Sequence, residues 1–169
     1  QDLNPRSDQP MHYKDLTITF NGEIYNFLEI KDELINLGYT FETTSDTEVI
    51  LAAYSKWGKS CVEKFNGMWA FAIYDPNESI IFISRDRFGK KPLHYLVSED
   101  GIYIGSEIKQ LLPILKKRKV NLKVLSDYLV LGISDHGEDT FISGIKRLNS
   151  GTSMIVCTKT LKIDFLKYY

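Results

Sequence analysis

Leu16-Thr17-Ile18-Thr19-Phe20 alternates apolar and polar positions and is rich in β-branched residues, so it predicts a strand. Asn21-Gly22 follows it and predicts the end of that strand, with a helix beyond. Phe27, Leu28, Leu34 and Ile35 share one helical face, Asn26 and Glu29 make a capping pair, and Gly38 closes the helix. Tyr39 to Thr43 reads as a short strand. A second helix then opens at Ser45, with Glu48 completing a capping box and Asp46 in the first turn. Its apolar stripe is Val49, Ile50, Ala53, Tyr54 and Trp57, stopping at Gly58.

From there the periodicity is mostly that of strands. Gly67 to Tyr74 is apolar at almost every position, as in a strand buried on both faces. Asp75-Pro76-Asn77-Glu78 is a turn, and Ser79 to Ser84 is the returning strand. Residues 85–92 form a connection to strands at Leu93–Val97 and Ile102–Gly105, which meet across Asp100-Gly101. A short helix from Ser106 to Leu112, a helix from Asn121 to Leu131, and a hairpin of Thr152–Cys157 with Ile163–Tyr168 complete the chain. Hairpin-linked strands flanked by amphipathic helices predict an α+β fold of antiparallel sheet, and the length of 169 residues predicts one domain over 1–169.

Composition narrows the class. An apolar content of 43% gives an ordinary packed core and argues against disorder. A net charge of −1 provides no field for nucleic acid, and the Lys116-Lys117-Arg118-Lys119 cluster reads as a solvated helix end. No apolar run reaches the ~18 residues of a membrane span, and the N-terminal stretch does not resemble a signal peptide. Cys61 and Cys157 fit no disulfide framework, which points to a reducing cytoplasm.

Most catalytic chemistries find no residues here. The three histidines lack metal-ligand spacing, so no metal site is expected. Gly58-Lys59-Ser60 and Gly89-Lys90-Lys91 lack the first glycine of a phosphate loop. Both cysteines read as small core residues rather than nucleophiles. Asn21-Gly22 supports two readings. It is the commonest hairpin dipeptide, and at a strand end its side-chain amide and glycine N–H have the makings of an oxyanion hole for acyl transfer. Asp46 is either a carboxylate stabilised by its helix dipole or the partner of an ammonium group. Glu23 is either a solvated charge or a second partner of that ammonium.

Together, Gln9-Pro10-Met11, residues 21–26 (Asn-Gly-Glu-Ile-Tyr-Asn), 44–50, 65–72, 85–89 with Pro92-Leu93, 105–109, 145–148 and Gly151 resemble the glutaminase domain of glutamine-hydrolysing asparagine synthetases, which are class II glutamine amidotransferases. The resemblance implies an N-terminal-nucleophile (Ntn) hydrolase-like fold, a four-layer α/β/β/α sandwich of two antiparallel sheets. It implies that Asn21 and Gly22 hold the oxyanion formed from glutamine, and that Glu23 and Asp46 bind its α-ammonium. The family's nucleophile is an N-terminal cysteine, whereas this sequence begins with Gln1. The first strand and helix, that cysteine and a carboxylate-clamping arginine are therefore expected upstream, and the 169 residues alone are expected to hydrolyse no glutamine.

No cofactor is expected in this domain. ATP and Mg belong to a C-terminal synthetase domain, which would use the ammonia to convert aspartate to asparagine. The expected partners are glutamine and that domain, without nucleic acid or membrane; a homodimer is compatible with the resemblance. Three matters stay open: a related synthetase acting on another acid, such as a sugar acid in surface-polysaccharide assembly; a non-catalytic domain retaining the fold; and whether Arg85 and Asp86 serve ammonia exit or brace their loop.

Overall fold

The computed structural model describes residues 8–169; the position of Gln1 lies outside them. Two compact units divide the chain, one made of residues up to Lys91 together with Gly151–Tyr169, the other of Pro92–Ser150 inserted between.

The first unit holds a six-stranded antiparallel sheet in the order β1-β2-β3-β4-β8-β9. Its strands are β1 (Met11–Tyr13), β2 (Leu16–Ile24), β3 (Gly67–Asp75), β4 (Ile80–Arg85), β8 (Thr152–Cys157) and β9 (Ile163–Lys167). Helices α1 (Phe27–Asn36), α2 (Asp46–Trp57) and the short α3 (Cys61–Lys64) belong to the same unit. Ile18 and Ile24 of β2 join Trp69, Phe71 and Ile73 of β3, Phe82 of β4 and the buried residues of α1 and α2 in one core. Every residue of α2 from Thr47 to Tyr54 is buried, so this helix runs through the interior rather than along a surface.

The second unit holds a three-stranded antiparallel sheet, β6-β5-β7, built from β5 (His94–Ser98), β6 (Gly101–Gly105) and β7 (Ile145–Arg147). Leu96, Leu111 and Ile145 are its buried centre. Its helices are α4 (Ile108–Leu111) and α5 (Leu122–Leu131). Asn121 caps α5 by accepting from the N–H groups of Lys123 and Val124, and Gly132 ends it in the left-handed conformation at φ 69°.

Several local expectations are corrected. β2 does not stop at Asn21-Gly22 but continues to Ile24, with Asn21 opposite Ala70 and Gly22 opposite Trp69, so the dipeptide is neither a hairpin turn nor a strand end. The reason is tertiary: a Cβ at Gly22 would collide with Met68 O and come within 2.8 Å of Trp69 Cα, so the glycine admits β3 rather than turning the chain. Residues 39–43 form no strand, because Glu48 takes the N–H groups of Glu42 and Thr43 at 2.9 and 2.7 Å. Ser45 does cap α2, accepting from Thr47 N–H at 3.2 Å, but Glu48 does not close the capping box. Asn26 makes no cap bond; its amide instead spans Lys64 O and Asn66 N–H. Leu28 and Ile35 are exposed, and Ile30 with Leu34 forms the buried face of α1. Glu107, one residue later than expected, caps α4 in a reciprocal pairing with Gln110.

Candidate functional site

The ladder between β2 and β3 decides which way each group of the Asn21–Ile24 stretch points. Tyr25 N–H donates to Asn66 O at 2.7 Å. In an antiparallel pair alternate residues bond the same neighbour, so the N–H groups of Glu23 and Asn21 also face β3. Those of Phe20, Gly22 and Ile24 face the opposite edge. Two of these have side-chain acceptors: Phe20 N–H donates to Gln9 Oε1 at 2.5 Å, and Ile24 N–H to Asp46 Oδ2 at 3.0 Å. Gly22 N–H lies on the same edge midway between them.

Side chains sort by the same alternation. Ile18 and Ile24 enter the core, whereas Asn21 and Glu23 project together from the opposite face and are exposed. Asp46 comes from the first turn of α2, set there by the Ser45 cap. Burial raises its carboxyl pKa above the ordinary value; N–H bonds from Ile24 and Thr47 pull it down, and the Glu23 charge pushes it up again. Glu23 and Asp46, expected to share one cation, are thus within electrostatic reach of one another. Asn21 stands two residues from Glu23 on the same face, and Gly22 is between them.

Sequence reasoning assigned no role to Trp69 or Gln9, and the structure gives both one. Gly22 faces Trp69, Trp69 O accepts from Asp86 N–H while Trp69 N–H donates to the Asp86 carboxylate, and Gly151 N–H donates to Asp86 O at 2.9 Å, so one transverse row crosses four chain segments. Asn21-Gly22-Glu23, Gly67-Met68-Trp69, Arg85-Asp86-Arg87 and Gly151 thus all meet at one end of the large sheet. Gln9 was visible only within the Gln9-Pro10-Met11 stretch that carries the family resemblance; its bond to β2 needs the fold.

Asp86 and Arg85 brace their loop. The carboxylate of buried Asp86 accepts four backbone N–H bonds, from Trp69 (3.3 Å), Phe88 (3.1 Å), Lys90 (2.9 Å) and Lys91 (2.9 Å). Arg85 donates to Lys91 O and Gly89 O, each at 2.7 Å. Arg87 ties the loop to Phe65 O and Glu63 O at 2.6 and 3.0 Å.

Neither cysteine suits nucleophilic attack at this end of the sheet. Cys61 is fully buried, and burial raises its thiol pKa far beyond the thiolate range. Cys157 pairs with Ile80, five positions along β4 from the Arg85 row, a separation of roughly 17 Å. Among the described residues no three His, Cys, Asp or Glu side chains cluster to hold a metal, and no helix is long and apolar enough to cross a membrane.

This α+β architecture of two antiparallel sheets has a counterpart among solved structures. Glutamine phosphoribosylpyrophosphate amidotransferase from Bacillus subtilis superposes with a TM-score of 0.64 over 95% of this chain and 32% of that one, at 20% identity. The fold is that of the Ntn-hydrolase amidotransferases. The family model of the glutamine amidotransferase domain matches residues 1–169, and the chain belongs to that class II family. Asparagine synthetase [glutamine-hydrolyzing] 1 of Bacillus subtilis is 42% identical over 123 residues, covering 72% of this chain and 20% of the relative. A putative asparagine synthetase of Methanocaldococcus jannaschii is 41% identical over 150 residues, covering 78% and 28%. The chain therefore spans about a fifth to just over a quarter of these curated relatives.

Proposed function

We propose that this domain hydrolyses glutamine to glutamate and ammonia, and that in a longer polypeptide the ammonia serves ATP-dependent amidation of aspartate to asparagine. Family membership supports the first part; the names of the similar synthetases support the second. The observation that carries the site assignment is the bond from Ile24 N–H to Asp46 Oδ2 at 3.0 Å, which fixes a carboxylate on the strand edge that carries Gly22 N–H. Two residues of strand separate the Gly22 and Ile24 amides by roughly 7 Å. In free glutamine the amide oxygen and the α-nitrogen are five bonds apart, a reach of roughly 6 Å when extended. A glutamine lying along this edge places its amide oxygen at Gly22 N–H while its ammonium meets Asp46 and Glu23.

In this reading Asn21 and Gly22 stabilise the negative oxygen of the tetrahedral intermediate. The pair of carboxylates selects a free amino acid over a peptide-bound amide, because only the former brings an ammonium. The domain itself uses no cofactor; ATP and Mg act in the synthetase part, and the protein works in the cytoplasm. The test is Asn21→Ala in the complete polypeptide. Glutamine-dependent synthesis should fall by about 10²–10³, the usual cost of one oxyanion donor, while ammonia-dependent synthesis persists. Equal loss of both activities would make Asn21 a structural residue instead.

A further inference from the structure

Helix α5 carries an apolar surface that the described residues leave largely uncovered, with Leu125 half-buried and its neighbours Leu122 and Leu129 exposed. Of its ten residues only Val124 is buried, and Tyr128 beside it meets Phe141 edge to face at 5.5 Å. Leu122, Leu125 and Leu129 recur at i, i+3 and i+7, so they form a second stripe next to the Val124–Tyr128 line. Leu122 and Leu129 are 74% and 72% exposed. Val130, at 76%, and Ile133, just past the Gly132 cap, extend this surface round the C-terminal end of the helix. The charged side chains of the helix, Lys123 and Asp127, sit away from the leucine stripe on the flank that Val130 shares, where Asp127 is engaged by His136 Nε2 at 2.9 Å. A free surface helix turns its polar residues outward; a leucine stripe in that place marks a face that another surface covers.

The occupant follows from chain length. In the similar synthetases most of the polypeptide lies outside the part matched here. A covalently tethered partner acts at an effective concentration of about millimolar, so even a modest patch suffices to dock it. A second copy would have to overcome the full cost of bringing free molecules together. We propose that the Leu122, Leu125 and Leu129 stripe, with Val130 and Ile133, is the surface on which the remainder of the longer polypeptide, outside residues 1–169, docks through an apolar groove. This goes beyond glutamine hydrolysis and rests on the reading above that the domain works within a longer polypeptide.

The experiment places a photoreactive benzophenone side chain at position 129 of the complete polypeptide, a site exposed enough not to disturb folding, with Lys159 as an exposed control position. Irradiation at 129 should give an adduct within one chain, mapped by mass spectrometry to residues outside 1–169, at least tenfold above the Lys159 control. An adduct of twice the chain mass would assign the face to a second copy and overturn the proposal. Adducts confined to residues 1–169, or a yield no higher than at Lys159, would overturn it as well.

Discussion

Asp46 does two things that pull against each other. Its carboxylate anchors Ile24 N–H, and its burial beside the Glu23 charge disfavours the ionised form. A carboxyl whose pKa is raised on folding favours the protonated native state, so its ionisation costs stability as pH climbs through the unfolded value of 3.8 and then the raised folded one. Asp46→Asn should therefore melt at a higher temperature than the parent at pH 7, with the gain vanishing below pH 3.8, as read by thermal denaturation across pH. The same variant should weaken glutamine binding. An ammonium group between Asp46 and Glu23 would lower the Asp46 pKa, so binding should release protons near that raised pKa, measurable by calorimetry in buffers of different ionisation enthalpy. Equal heats in all buffers would separate Asp46 from the ligand. The sequence already placed this carboxylate in a helix first turn, because Ser45 is a local capping signal. Its bond to a strand twenty-two residues earlier has no local signature.

The stretch from Leu16 to Ile24 shows how pairing overrides a turn signal. Asn-Gly reads as a break because both residues tolerate turn conformations, but here β3 lies so close that only glycine fits opposite Trp69. Gly22→Ala should destabilise the domain by about 1–3 kcal/mol or more, the usual cost of forcing a carbon into a packed interior, as measured by urea unfolding. The Arg85–Lys91 loop is equally dependent on a single side chain. Asp86→Ala strands four N–H donors around a buried site, and a loss of about 3–5 kcal/mol is expected for breaking such a charged cluster. Asp86→Asn keeps acceptor atoms but not the charge, so it should lose less in the same urea series. β3, β4 and the final hairpin were legible from apolar runs and turns, since those signals are local. Residues 39–43 looked like a strand by composition, yet the Glu48 carboxylate claims the N–H groups a ladder would need.

Two units of unequal character make up the chain, and no composition shift at Lys91 or Gly151 announces the boundary. Strand order was equally hidden, because β4 pairs with β8 across the whole inserted unit. β3, paired on both sides and carrying Trp69, Phe71 and Ile73 in the core, should show the slowest amide hydrogen exchange. α5, with one buried residue, should exchange fastest among the longer helices of the isolated chain. Uniform protection across both would mean that the molecule opens only as a whole.

The fastening of the insertion has a consequence of its own. The backbone leaves the first unit at Lys91, whose N–H is held by the Asp86 carboxylate, and returns at Gly151, whose N–H is held by the Asp86 carbonyl. Departure and arrival are thus clasped by one amino acid, which closes the detour before anything within it is specified. The entropy of closing a chain excursion grows only logarithmically with its length. A buckle of this kind lets a host sheet accept an insertion of almost any length at little added entropic cost.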